Sequence, residues 1–303
     1  MAASVVVRVP CSTSNCGSGF DTLGLALNLY GRVRLSQRND DRVVYAGTDP
    51  AFPSVAISML GEVRQSFAQA IGRDVPGFDF DIDSEVPIAR GLGSSVILRA
   101  GALGCLNELA HSPLSRDRMV DIVTGIEGHP DNASAGILGG FTVARFCPQR
   151  QHYLGTQSFP VSHGLAFVVV APELEIITDD SRKQLPEEIG FQDVVDSLNG
   201  LAYLVAAFAS GKYENLGVYR MDRLHEPQRL GNIPQGREAI KAGIDAGALT
   251  GWLSGSGSSV LCVAHREKSA KVLQAMSSPF REHGIPIDSY TLQADNSGLT
   301  VEE

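Results

Sequence analysis

Positive charge is scarce in this chain. Its 25 Lys and Arg stand against 34 Asp and Glu, a formal net charge of -9. Binders of a phosphate backbone are usually basic, so DNA or RNA as the main partner is disfavoured. A few well-placed Arg can still hold a small anion. Long hydrophobic runs are missing. The longest, near Leu165–Pro172 and Leu198–Ala209, fall short of the ~20 residues that a membrane-spanning helix needs. Arg8 interrupts the opening MAASVVVRVP, which therefore reads as a strand rather than a signal peptide. Cysteine is sparse and odd in number: Cys11, Cys16, Cys105, Cys147 and Cys262, with no CxxC pair. That argues against a disulfide framework or zinc ribbon and fits a reducing cytoplasm. The seven His are scattered, with no HxxxH or HExxH spacing. Repeats and low-complexity segments are lacking too.

What is present is an ordinary globular composition, 303 residues with 43% hydrophobic and 19% charged side chains. Enough apolar surface exists to bury a core, so disorder is excluded as the main theme. At roughly 150 residues per domain, the length predicts one large domain or two ordinary ones. Periodicity predicts strands at Ser4–Pro10, Leu27–Ser36, Arg42–Ala46, Phe78–Ile82, Gly140–Arg145, Leu165–Val170, Thr250–Ser254, Ser259–Ala264 and Pro286–Leu292. It predicts helices at Pro53–Ile71, Ser94–Leu109, Arg116–Glu127, Phe191–Ala209, Gly236–Ala246 and Lys268–Ser277. Strands and helices come in runs rather than in steady alternation, which argues for α+β. The polar stretch Gln149–Ser162 is the candidate boundary, dividing the chain into 1–158 and 159–303.

Four segments concentrate small and polar residues. In Pro87–Ser95, PIARGLGSS, Gly91 and Gly93 allow positive φ and Ser94 and Ser95 open a helix. Free N–H groups and the positive end of the helix dipole favour a phosphate there. Taken alone, a glycine turn capped by Ser is the simpler reading. Walker A and GxGxxG are both absent. Val9–Leu25, VPCSTSNCGSGFDTLGL, leads a strand into a polar loop ending near Asp21. Leu253–Val260, LSGSGSSV, reads as a glycine turn between strands. Glu127–Gly140, EGHPDNASAGILGG, reads as a loop gathering Glu127, His129, Asp131 and Asn132, a density that suits a metal or a reacting group.

In register, these segments resemble the GHMP kinase superfamily, and within it the branch that acts on L-homoserine. The superfamily's proline followed by G-L-G-S-S is met by Pro87–Ser95. The branch's opening is met by Pro10, Ser14, Asn15, Gly17, Gly19, Phe20 and Asp21, its E-G-H-P-D-N block by Glu127–Asn132, and its third motif by the S-G-S-G of Ser254–Gly257. Thr178–Pro186 and His225–Pro234 resemble its T-x-x-x-R-x-x-L-P and E-P-x-R-x-x-x-I-P segments. Departures are Val96 and Ile97, where the family continues with Ala-Ala, with Arg99 following them, Ser258 in place of Pro, and Cys16 in place of Leu.

The resemblance implies a two-lobed α+β fold: an N-terminal lobe like ribosomal protein S5 domain 2 and a ferredoxin-like C-terminal lobe. It implies transfer of the ATP γ-phosphoryl to the side-chain hydroxyl of L-homoserine, on the route to threonine. Threonine, mevalonate or shikimate as acceptor, and a non-catalytic ligand-binding relative, are the alternatives. ATP would be cradled by Pro87, Ala89, Arg90, Gly91, Leu92, Gly93, Ser94 and Ser95. Ser95 and Glu127 would hold Mg2+, a hard ion that prefers oxygen. Asn15, Asp21, His129, Thr178, Arg182 and Arg229 would hold the amino acid, the two Arg suiting its carboxylate and Asp21 its ammonium or hydroxyl. Asn132 and Ser95 would serve the transferred phosphoryl, with Asp131 a candidate base. Val55 and Met59 are guesses for the adenine pocket, though core packing is the simpler role for each. A homodimer rests on analogy alone.

Overall fold

The computed structural model describes residues 3–48, 54–176, 178–218 and 222–302, with the backbone alone at 148, 178, 179 and 218. Strands β1 (Ser4–Ser14) and β2 (Leu23–Gln37) pair antiparallel along their length. The β-branched run of β1 suits this pairing, and Val7, Val9 and Cys11 are fully buried. There follow β3 (Val43–Tyr45), α1 (Val55–Ile71), β4 (Phe78–Ser84), α2 (Ser94–Leu109), α3 (Arg116–Glu127) and α4 (Asp131–Leu138). Next come β5 (Phe141–Cys147) and β6 (His152–Phe159). The first sheet runs β11–β1–β2–β4–β3, with β5 paired to the other end of β2 and β6 to β5. Its strand β11 (Thr300–Glu302) is the last element of the chain, so the C-terminal residues return to the N-terminal sheet.

The second sheet holds β7 (Leu165–Pro172), β8 (Thr250–Leu253), β9 (Val260–His265) and β10 (Ile287–Leu292) in the order β10–β7–β9–β8, antiparallel throughout. Between β7 and β8 lie α5 (Thr178–Arg182), α6 (Phe191–Ser210), α7 (Glu226–Arg229) and α8 (Gly236–Asp245), while α9 (Ser269–Glu282) precedes β10. The strand, helix, strand, strand, helix, strand succession is the ferredoxin-like arrangement, and the α+β class is the observed one.

Several stretches differ from the sequence expectation, among them α5 and α7, short helices where none was expected. The polar stretch expected as a boundary is largely β6, whose register with β5 runs from Phe141↔Phe159 to Cys147↔His152. The segment read as a loop contains α4, which opens at Asp131, a favourable charge for a helix N-terminus. Strand β11 is too short to carry a period. Elsewhere α2 and α3 have the expected limits. Helix α3 is capped by Ser115, whose hydroxyl accepts from the Arg118 N–H at 3.2 Å, and ends at Gly128 in the left-handed region.

The bulky departures are absorbed by packing. Val96 and Ile97 are buried in the core. Ile97 occupies space that a side chain at Gly31 of β2 would need, since a Cβ there would lie 2.4 Å from Ile97 Cγ2. Ser258 donates its hydroxyl to Pro172 O at 3.0 Å. One apolar cluster spans the two halves, Leu204, Ala207 and Phe208 of α6 joining the residues of β1 and β2, while a second, with Val168, Cys262 and Phe280, lies within the C-terminal half. Phe208 stacks on Phe141 of β5 with centroids 4.2 Å apart and planes 12° from parallel. Buried Trp252 of β8 donates from Nε1 to Thr13 Oγ1 of β1 at 3.1 Å.

Candidate active site

The three glycine-rich segments converge between the sheets. Gly91 and Gly93 lie at φ +74° and +73°, and Ala89 at +55°, so the chain turns sharply before α2 begins. Gly91 is needed for space as well as for φ, because a Cβ there would lie 2.1 Å from Ser254 O. Ser254 donates to Gly91 O at 2.7 Å, Ser259 N to Arg90 O at 3.1 Å, and Ser12 N to Leu92 O at 3.2 Å. The opening segment is tied in by Gly255 N to Ser14 O at 3.1 Å and Asn15 Nδ2 to Gly255 O at 3.0 Å. Asn15, Cys16 and Asp21 also sit at positive φ, strain that clusters where the loop turns into the cleft.

A cavity of about 690 Å³ opens beside this knot. Of the predicted phosphate-loop residues, Ala89, Gly91, Gly93, Ser94 and Ser95 line it, while Pro87, Arg90 and Leu92 do not. Arg90 turns to the second sheet, donating to Pro172 O at 2.7 Å, and Leu92 is in the core. The first turn of α2 faces the cavity, and such a turn leaves N–H groups without partners inside the helix. Val55 and Met59 of α1 line the same cavity with Tyr45, Ile82 and Val86, so neither is merely core.

At the other end Asn15, Asp21, Glu127, His129, Asp131, Asn132, Arg182 and Arg229 line one wall. Asn132 is clamped: its Oδ1 accepts from Ser12 Oγ at 2.8 Å and its Nδ2 donates to Ser14 Oγ at 3.1 Å. Asp131 Oδ1 lies 2.8 Å from His129 Nδ1 and accepts from Asn132 N at 2.8 Å. Burial disfavours charge on His129, yet the Asp131 carboxylate more than offsets it and raises the imidazole to about 9. Burial would raise Asp131, but His129 and the Asn132 N–H hold it below the usual carboxylate range. The pair is therefore an imidazolium and a carboxylate at neutral pH. Arg182 grips Asp21 with two bonds of 2.9 and 2.6 Å. Arg229, only 3% exposed, is lowered to about 10 by burial and by Arg182. Both guanidiniums lie over the Phe20 ring, at 5.3 and 5.0 Å from its centroid. Thr178 begins α5, but its side chain lies outside the described residues.

Ser95 donates to Glu127 Oε2 at 3.3 Å, so the two residues expected at a cation do meet. Glu127 Oε1 is engaged by Arg99, one helical turn after Ser95 on α2. A second set of donor atoms, from Asp21, His129 and Asp131, lies within 4.8 Å of one another. In this structure Asp21 is bound by Arg182 and Asp131 by His129. Phe20, Arg99 and Ser12 were not assigned roles from the sequence. The i, i+4 spacing of Ser95 and Arg99 was the one available signal, since it puts both on the same face of a helix.

A glycine-rich turn at a helix start, an apolar recess on one side and a wall of carboxylates and guanidiniums on the other are the arrangement expected of a two-lobed small-molecule kinase. The family description GHMP kinases N terminal domain matches residues 57–140, and GHMP kinases C terminal matches residues 204–282. Homoserine kinase of Desulfitobacterium hafniense is 33% identical over 98% of this chain and 99% of its own length. That of Microchaete diplosiphon is 33% identical over 99% and 98%. The chain thus belongs to the GHMP kinases, in the homoserine kinase family. The crystal structure of homoserine kinase from Cytophaga hutchinsonii superposes with a TM-score of 0.89 at 26% identity, covering 100% of this chain and 98% of that one. Phosphomevalonate kinase of Streptococcus pneumoniae shares the fold, with a TM-score of 0.71 at 15% identity over 96% and 99% of the two chains.

Proposed function

We propose that this protein transfers the γ-phosphoryl group of ATP to the side-chain hydroxyl of L-homoserine, giving O-phospho-L-homoserine and ADP for threonine biosynthesis. The observation that carries the reading is the single cavity in which the Gly91–Ser95 turn faces Asn132, Asp131, Arg182 and Arg229. The α2 N-terminus takes the ATP phosphates, and the recess near Val55 and Met59 takes the adenine. Arg229 and Arg182, the latter braced by Asp21, take the substrate carboxylate, with Asn15, His129 and Thr178 completing the amino-acid side. Asn132, held by two hydroxyls, is aimed at the transferred group. Asp131 acts by position and charge rather than as a strong base, because a loose transition state demands little early proton removal.

The hydroxyl of Ser95 and carboxylate of Glu127 are hard oxygen donors beside the phosphate loop, a donor set that fits Mg2+. Bound there, the ion would neutralise phosphate charge. The two-domain division at 158/159, with β11 crossing back, a cytoplasmic setting and a homodimer belong to the same reading. Among the described residues no helix is long and apolar enough to cross a membrane.

The test is ADP release with Mg-ATP and four acceptors: L-homoserine, L-threonine, mevalonate and shikimate. Preference for L-homoserine is expected. Turnover with another acceptor would retain the kinase and refute its substrate. Nucleotide binding without turnover on any would point to a non-catalytic relative.

A further inference from the structure

Glu127 ends α3, where a negative charge meets the negative end of the helix dipole. Arg99 offsets it. The guanidinium is 15% exposed, binds Glu127 Oε1 through one Nη, and lies 3.6 Å from Glu62 Oε2 of α1 through the other. Glu127 is itself 8% exposed, so this ion pair is largely shielded from water. Arg99 lies just beyond Val96 and Ile97, where the chain departs from the family's G-L-G-S-S-A-A pattern.

We infer that Arg99 is a resident counter-ion of Glu127 that keeps a free divalent cation off this carboxylate and admits it only together with nucleotide. The inference rests on Glu127 being a metal ligand, as proposed above. A cation arriving alone must share the carboxylate with a fixed guanidinium. Repulsion between a unit charge and a dication at such range lowers affinity by about tenfold even when screened as in water. Triphosphate oxygens reverse the balance by adding negative charge at the α2 N-terminus. Glu62, half-exposed on the helix that also carries Val55 and Met59, gives the guanidinium a second anion to lean on. Arg99 is thus a positioning residue: it touches the carboxylate and sets when that carboxylate is available.

The experiment is a Mn2+ titration of the whole protein, reading free Mn2+ by electron paramagnetic resonance, with and without a non-hydrolysable ATP analogue. Without nucleotide, Arg99→Met should bind Mn2+ about tenfold more tightly than the wild type, and Arg99→Lys should resemble the wild type. With nucleotide, the gap between wild type and Arg99→Met should close. Glu62→Gln, an exposed change that keeps the fold, should weaken Mn2+ binding in the nucleotide complex by leaving Arg99 wholly on Glu127. Equal or weaker Mn2+ binding by Arg99→Met without nucleotide overturns the inference. If that variant does not fold, unchanged binding by Glu62→Gln overturns it. Glu127→Gln separates the two readings. If it leaves Mn2+ binding in the nucleotide complex unchanged, the metal-ligand assignment itself fails. If it abolishes binding while Arg99→Met changes nothing, only the counter-ion role fails.

Discussion

Asp131 is 2% exposed and spends its Oδ1 on His129 and on the Asn132 N–H. A carboxylate kept ionised by a buried imidazolium is a weak proton acceptor, whatever its nearness to the reacting hydroxyl. Asp131→Asn is therefore expected to lower kcat by about ten- to a hundredfold, at or below the low end of a general base's worth, and to leave turnover measurable. A folded variant with no ADP release would make Asp131 the base. Arg229 contributes differently. Buried over Phe20, with long contacts of 3.4 and 3.5 Å to Ser181 O and Gly255 O, it has donors poorly satisfied by the protein. A carboxylate ligand would satisfy them. Arg229→Ala should raise the KM for L-homoserine by about tenfold or more and leave the KM for ATP nearly unchanged. Equal rises in both would remove Arg229 from the amino-acid site. The residue types at these positions were legible in the sequence. Their partners were not: nothing in the order of residues shows that Asp21 grips Arg182 or that Arg99 reaches Glu127.

Helix limits were legible where periodicity was long and caps were strong, as in α2 and in α3 with its Ser115 cap and Gly128 stop. They were not legible in α4, an eight-residue helix in which Asp131, Asn132, Ser134 and Gly136 have weak helix preference, held in place by burial rather than propensity. Strand β6 reads as polar because half its residues face water at the edge of the sheet. Between elements, the glycine-rich segments matter through their mutual fit. Gly91→Ala combines a left-handed φ with a Cβ 2.1 Å from Ser254 O, so the Gly91 turn and the Ser254–Ser258 turn must part. The strain alone is worth about 1–3 kcal/mol. Reduced thermal stability together with a raised KM for ATP is expected. An unchanged KM for ATP in the folded variant would show that the loop's shape does not govern nucleotide binding.

At the scale of the whole molecule, two sheets with separate topologies share one apolar cluster, and the cavity lies where they meet. Phe208 of α6 stacks on Phe141 of β5, so Phe208→Ala should remove about 3–5 kcal/mol of stability. Because that contact joins the halves, calorimetry of the wild type should show one unfolding transition, and two separate transitions would refute the shared core. Sequence by itself determined the α+β class, the order of the main elements and most of the residue types that line the cavity, since these follow from local periodicity, turn residues and short motifs. Tertiary structure alone decided that β11 returns to the first sheet, that Arg90 and Leu92 turn away from the cavity, and that Gly31 makes room for Ile97. It also decided the ionisation of His129 and the pairing of Arg99. Each of these depends on which distant side chain lies within a few ångströms, and proximity of that kind is a property of the packed chain rather than of any segment within it.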